Sequence, residues 1–133
     1  MKPKIIFISG ATGFIGTALI PYLLDKYKPE SIRLMARNDW RMAQVLRQYN
    51  ELYKFEKLRP MIGDICDRER LMSVIDGCDL VIHAAAMKRL EIANYNPQEA
   101  IKVNVMGSIN AMDACLQRGV KKAIFISSDK AVN

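Results

Sequence analysis

Apolar and polar positions alternate along this chain in two distinct periods. Short runs rich in β-branched and apolar residues fall at residues 4–9 (Lys4-Ile5-Ile6-Phe7-Ile8-Ser9), 31–36, 58–63, 79–83 and 121–127. Between them lie stretches with helical spacing: residues 14–27, Asn38 to about Glu51, a short helix after Asp67, and a long one over residues 97–118. Short strands separated by helices are the sequence signature of a parallel sheet with crossover helices. Asp67 precedes Leu71, Val74 and Ile75 as a capping acid, and Gly119 is placed to end the long helix. Within that helix Ile101, Val105, Ile109, Met112 and Leu116 recur every three or four residues, which predicts one stripe buried on the sheet. Pro60 lacks a donor and predicts an edge position for the third strand.

Right-handed crossovers between these strands give the order 3-2-1-4-5, so residues 1–133 read as one α/β domain with a Rossmann-type doubly wound parallel sheet. Ligands of such sheets bind beyond the carboxyl ends of the strands. The segments expected there are residues 10–16, 37–39, 64–65, 84–88 and 127–130.

Length and charge narrow the picture. With 133 residues, half of them hydrophobic, the chain can bury one core but is short for an enzyme that holds both a dinucleotide and a second substrate. No run approaches the roughly 20 apolar residues of a membrane span, and Met1-Lys2-Pro3-Lys4 passes straight into a strand, so the expected location is cytoplasmic. Cys66, Cys78 and Cys115 are odd in number and widely spaced, which suits reduced thiols and neither a disulfide framework nor a zinc site. The net charge of +6 is scattered along the chain and reads as a solvated surface, not a nucleic-acid footprint.

The chemistry begins at Gly10-Ala11-Thr12-Gly13-Phe14-Ile15-Gly16, which joins the first strand to the first helix. Gly10 permits the tight turn, Gly13 the approach of backbone amides to a pyrophosphate, and Gly16 close helix packing. The anion would sit on the unpaired amides of the helix start. After the second strand, where unphosphorylated ribose normally meets a carboxylate, stand Arg37, Asn38 and Asp39. Arg37 can pair with a 2′-phosphate and stack on adenine, which favours NADP over NAD; Asp39 can serve ribose or cap the second helix. Asp64 and Ile65 can hold the adenine edge through a carboxylate and a backbone N–H, or simply end a strand. Ala84, Ala85 and Ala86 offer small side chains against the nicotinamide ribose. His83, the only histidine, reads as a packed, hydrogen-bonded imidazole and not as a catalyst. Lys88 can reach a phosphate or sugar, or stay solvated. Asn104 is a mediocre helix former inside a helix, so it either bonds backbone near the site or faces water. Finally Ser127, Ser128, Asp129 and Lys130 put hydroxyl, carboxylate and ammonium together past the fifth strand, able to remove one proton and donate another, although Ser-Asp there is also an ordinary cap.

Taken together, the glycine turn, His83-Ala84-Ala85-Ala86-Met87-Lys88, Tyr95-Asn96-Pro97-Gln98-Glu99-Ala100, Asn104-Val105-Met106-Gly107-Ser108 and Ser127-Ser128-Asp129-Lys130-Ala131-Val132-Asn133 resemble the extended short-chain dehydrogenase/reductase superfamily. More narrowly they resemble the polysaccharide-biosynthesis nucleotide-sugar 4,6-dehydratases of the inverting UDP-N-acetylglucosamine type. The resemblance implies that NADP takes a hydride from sugar C4, water leaves across C5 and C6, and the hydride returns to C6. It also implies that Asp129 and Lys130 act as acid and base, that Ser128 keeps a hydroxyl where the family often has threonine, and that Lys88 lies near cofactor and substrate.

Members of that family carry a Tyr-x-x-x-Lys pair on a following helix, whereas this sequence ends at Asn133. Tyr22 with Lys26 and Tyr53 with Lys57 match the spacing but fall away from the carboxyl edge. The chain is therefore expected to be the NADP-binding N-terminal part of a longer fold, truncated before the substrate region and inactive alone. It is also expected to self-associate through the open edge of strand five. The complete enzyme would take a UDP-sugar. The alternatives left open are a non-catalytic dinucleotide-binding or sensing module, and another extended short-chain enzyme such as a sugar-nucleotide epimerase.

Overall fold

The structure is a computed structural model that describes residues 1–50, 57–85 and 94–126. Five parallel strands form one sheet in the order β3-β2-β1-β4-β5, as the crossover rule predicts: β1 Ile5–Ser9, β2 Ser31–Ala36, β3 Leu58–Ile62, β4 Leu80–His83 and β5 Lys122–Phe125. The helices are α1 Phe14–Tyr27, α2 Asp39–Gln48, α3 Arg68–Ile75, α4 Pro97–Ile101 and α5 Gly107–Gln117. Pro60 lies on β3, an outer strand, where no second ladder asks for its missing donor.

Side chains of a strand point alternately to its two faces, and this parity sorts the core into two layers. Ile6 and Ile8 join Ile20 and Leu23 of α1, Met42 and Val45 of α2, and Ile32 and Leu34 of β2. Phe7 faces the other way and packs with Leu71, Val74 and Ile75 of α3 and Ala111 and Ala114 of α5. Strand β1 therefore sits between two apolar layers, which explains why its run is apolar from Ile5 to Ile8.

Local signals fix the joints. Asn38 Oδ1 accepts from Arg41 N, and Asp67 Oδ1 from Arg70 N, each at 3.1 Å, so both side chains cap helices. The predicted stop at Gly119 is present: its φ is 66°, and Val120 N–H donates back to Cys115 O at 3.0 Å. Asp79 accepts from Lys4 N at 2.8 Å and Ile5 N at 3.0 Å, tying the start of β1 to β4. The bond from Ile5, then that from Lys4, holds the Asp79 carboxyl below the usual carboxylate range. Helix α2 ends at Gln48, short of the expected limit at Glu51, which lies outside the described residues.

The long helix expected over residues 97–118 needs correction. It is interrupted by a π-helical turn, Lys102–Met106, so that α4 and α5 are separate. The stripe expected on the sheet faces outward instead: Ile101, Val105, Ile109 and Met112 are about half exposed and Leu116 is 81% exposed. The buried face of α5 is Gly107, Ala111, Ala114 and Cys115, which has the same helical spacing but small side chains. Small residues let α5 pack closely against α3 and the loop before it: a Cβ on Gly107 would lie 2.5 Å from Cδ1 of Ile65 in that loop. The π turn, by adding a residue to one turn, rotates the faces before and after it out of line. Beside the outward stripe, Met112, Cys115, Leu116, Val120, Ala123 and Phe125 line an open groove of about 390 Å³.

Candidate dinucleotide site

The β1 strand delivers its last residue, Ser9, into the glycine turn. Gly10 has φ 65°, and a Cβ there would lie 2.7 Å from Ala85 N, so only glycine fits both the backbone and the neighbouring strand end. A Cβ on Gly16 would strike Gly10 O and lie 2.8 Å from Ala11 Cα, so α1 lies hard against its own turn. Gly13 differs. Its φ is an ordinary −79°, and a Cβ would meet only Gly10 O, at 3.3 Å. Apart from that one tight main-chain contact, the space over Gly13 is clear of the rest of the chain among the described residues, which is what a ligand approaching the turn requires.

Three bonds set the turn: Gly13 N–H to Gly10 O at 3.1 Å, Thr17 N–H to Gly13 O at 3.0 Å, and Ala11 N–H to Met35 O at 3.1 Å. Helix α1 then starts without a side-chain cap and without an acid in its first turn, unlike α2 and α3. The first-turn amides at Phe14, Ile15 and Gly16 have no intrahelical acceptor, and the helix dipole adds positive potential there. Thr12 is half-buried on the turn, Ile15 is half-buried, and Phe14 is 91% exposed.

Beyond β2, Arg37 is exposed, with Nη1 3.8 Å from Asp64 Oδ2 and 3.9 Å from Glu99 Oε1. Such loose, solvated pairs contribute about 0–1 kcal/mol, so the guanidinium can be redirected to a phosphate dianion. Asn38 is committed to capping α2, and Asp39 is exposed in the first turn of that helix. Asp64 Oδ1 accepts from Cys66 N at 2.9 Å, leaving Oδ2 toward Arg37. Ile65 is buried, and its carbonyl accepts from Asn110 Nδ2 at 3.1 Å.

At the end of β4 the amides of Ala84 and Ala85 donate to Ser9 Oγ at 3.1 and 3.2 Å. His83 is 3% exposed, as its packed-imidazole reading requires, and lies with its ring centroid 5.3 Å from that of Phe125. Burial pushes its pKa down to about 4. His83 Nδ1 is 2.7 Å from Ser9 Oγ, and Nε2 is 3.4 Å from Ser108 Oγ. Ser108 in turn donates to Asn104 O at 2.7 Å, and Asn104 is an exposed residue of the π turn.

The sheet thus brings together at one rim the turn at Gly10, Thr12, Gly13, Phe14, Ile15 and Gly16, the Arg37 and Asp64 pair, and Ala84 and Ala85. Ala86, Lys88, Ser127, Ser128, Asp129 and Lys130 lie outside the described residues. In the Tyr22 and Lys26 match, Lys26 Nζ donates to Tyr22 Oη at 3.1 Å on an exposed face of α1, and Tyr53 lies outside the described residues. Among the described residues no group of His, Cys, Asp and Glu could hold a metal, and the three cysteines are free. A groove of about 570 Å³ between α3 and the β2–β3 side, lined by Arg33, Arg59 and Arg70, reaches toward the amino ends of the strands and away from this rim. Arg33 is engaged there in capping α3, donating to the carbonyls of Val74 and Asp76.

The sequence alone assigns no individual role to Ser9, Glu99, Gly107, Ser108 or Asn110. Ser9 carried a usable signal, since it is the one polar residue in an apolar strand and pairs in register with His83. Glu99, Ser108 and Asn110 depend on the interrupted helix, which the hydrophobic period alone does not reveal.

A parallel sheet in this order, with a glycine turn opening a bare helix start at its switch point, defines a Rossmann-type doubly wound domain. The chain belongs to the polysaccharide biosynthesis protein family, whose model matches residues 6–133. It is 43% identical over 130 residues to a UDP-N-acetylglucosamine 4,6-dehydratase (inverting) of Campylobacter jejuni subsp. jejuni, covering 98% of this chain and 38% of that protein. Among solved structures it resembles Pen from Bacillus thuringiensis, with a TM-score of 0.91, 32% identity, and 99% of this chain and 39% of the other covered. It also resembles a UDP-N-acetylglucosamine 4-epimerase from Methanobrevibacter ruminantium M1, solved with UDP-N-acetylmuramic acid, with a TM-score of 0.79, 26% identity, and 97% and 39% coverage. The chain spans about two-fifths of the length of the relatives it matches. No helix among the described residues is long and apolar enough to cross a membrane.

Proposed function

We propose that this chain is the dinucleotide-binding part of an NADP-dependent nucleotide-sugar 4,6-dehydratase acting on a UDP-N-acetylglucosamine-type substrate. The observation that carries the reading is the open face over Gly13 at the uncapped start of α1, flanked by glycines that the protein's own packing demands. The donor set fits a dinucleotide. First-turn amides of α1 suit a pyrophosphate, Arg37 a 2′-phosphate, Asp64 and Ile65 an adenine edge, and Ala84 to Ala86 a ribose laid against the backbone. When bound, the nicotinamide accepts and returns a hydride. Asn104, on the π turn, is assigned to the cofactor, as are Lys88 and Ser127.

Elimination of water needs one group to take a proton and another to protonate the departing hydroxyl. Asp129 and Lys130, with Ser128 beside them, are assigned these roles; the similarity to the Campylobacter dehydratase supports the assignment. We further assign self-association of this chain to the outward apolar stripe of α5, beside β5 at the margin of the described sheet. Light scattering should then give a mass above the 15.1 kDa of one chain, and a monodisperse monomer would overturn that assignment.

The likeness to a 4-epimerase favours one second reading, a sugar-nucleotide epimerase built on the same domain. Product analysis separates the two: a 4-keto-6-deoxy sugar from a longer chain supports dehydration, and an inverted C4 alone supports epimerisation. For the chain itself the test is calorimetric titration with NADP+ and NAD+. Failure to bind either overturns the cofactor reading.

A further inference from the structure

Three loops meet behind the rim, and the hydrogen atoms that join them can be assigned one by one. Ser9 Oγ faces the amides of Ala84 and Ala85 at 3.1 and 3.2 Å, the Ala84 N–H being shared with the Ser9 carbonyl at 3.2 Å, so both of these neighbours are donors. Its single hydrogen must therefore be donated, and the acceptor 2.7 Å away is His83 Nδ1. Nδ1 is then unprotonated, and the ring proton of a neutral imidazole resides on Nε2. Nε2 faces Ser108 Oγ at 3.4 Å, and the Ser108 hydrogen goes on to Asn104 O at 2.7 Å.

The opposite direction fails. A proton on Nδ1 would aim a further donor at an oxygen that already faces two amides, and the Ser9 hydrogen would be left without an acceptor in a residue that is 0% exposed. We propose that His83 is a positioning residue of the dinucleotide pocket, a neutral Nε2–H imidazole in a one-way chain from Ser9 to Ser108 and the Asn104 carbonyl. The chain clamps the glycine turn, through Ser9, to the Ala84 and Ala85 amides and to the π turn that carries Asn104. Those amides are spent on Ser9, so a ligand meets only their small side chains and carbonyls. The positioning role rests on the dinucleotide reading given above; the hydrogen-bond assignment does not.

Because His83 is the only histidine of the chain, ¹⁵N NMR of the imidazole in the full chain reports on it without ambiguity. The expected spectrum shows a protonated Nε2 and a bare Nδ1, unchanged from pH 8 to 5.5. Calorimetric titration with NADP+ supplies the second readout. Ser108→Ala, which cuts the chain at its more exposed end, should weaken binding about threefold to tenfold, the loss expected for one hydrogen bond. His83→Asn keeps an acceptor for Ser9 but is too short for Ser108, so it should match Ser108→Ala, whereas His83→Phe should bind more weakly than both. An Nδ1–H tautomer, an imidazole titrating near 6.5, or a Ser108→Ala variant binding like wild type would each overturn the proposal. A wild-type chain that binds no dinucleotide yet shows the Nε2–H spectrum would overturn the positioning role and the cofactor reading while supporting the hydrogen-bond chain.

Discussion

Alanine at Gly13 and at Gly16 should separate binding from stability. A methyl on Gly16 would overlap Gly10 O and lie 2.8 Å from Ala11 Cα, both main-chain atoms, so α1 must shift. Overpacking of this kind costs about 1–3 kcal/mol, partly offset by the roughly 1 kcal/mol by which alanine exceeds glycine in a helix. For a chain of this size each kcal/mol lowers Tm by about 3–5 °C, so Gly16→Ala should melt several degrees below wild type. At Gly13 the backbone is ordinary and the methyl meets only Gly10 O at 3.3 Å, so Tm should move by no more than about 3 °C. That methyl, however, stands over the first-turn amides. Charge-assisted hydrogen bonds to a phosphate are worth about 1.5–3 kcal/mol each, so forcing one phosphate oxygen away should weaken NADP+ binding by roughly tenfold or more. Thermal unfolding followed by circular dichroism, with calorimetric titration of the same samples, gives both numbers. If Gly13→Ala binds NADP+ like wild type, or loses as much stability as Gly16→Ala, the cradle assignment is wrong.

Three further outcomes follow from the geometry. Arg37→Ala should weaken NADP+ about tenfold and NAD+ much less in parallel titrations, because only the former carries the phosphate that the guanidinium would meet; equal losses would refute its role. His83 binds its proton less tightly folded, at about 4, than at its ordinary 6.5, so the unfolded chain takes up the proton first as the solution is acidified. Its contribution is complete above pH 6.5 and is lost as pH falls toward 4, amounting to roughly 3 kcal/mol in urea melts, and His83→Asn should remove this part of the pH dependence. Asp67→Ala deprives Arg70 N of its acceptor and should cost about 1 kcal/mol in the same melts, with dinucleotide affinity unchanged.

Sheet order, edge strands and helix caps were legible because each follows from a short-range rule: parity along β1, Pro60 on β3, Asp67 before α3, Gly119 after α5. The glycine turn was legible as a motif, but the division of labour within it was not, since the tightness around Gly10 and Gly16 depends on Ala85 and Ala11 meeting them in space. The stripe on residues 101–116 misled because two helical faces compete there, and hydrophobicity favours Ile109 and Leu116 over Ala111 and Ala114. Close approach of helix to helix selects the smaller side chains, which a hydropathy pattern ranks lower. The Ser9 and His83 link lay within reach, since strands one and four are neighbours in the predicted order; the Ser108 half required the π turn.

Glycine backbone and helix start form one part of this rim, and Arg37 with Asp64 forms another, at the ends of β2 and β3 and largely exposed. On the proposed dinucleotide reading, grip and choice would then be uncoupled: the exposed pair could be exchanged without disturbing the buried joint between β1 and α1, so a change of cofactor preference would leave the hold on the shared diphosphate unaltered from one variant to the next.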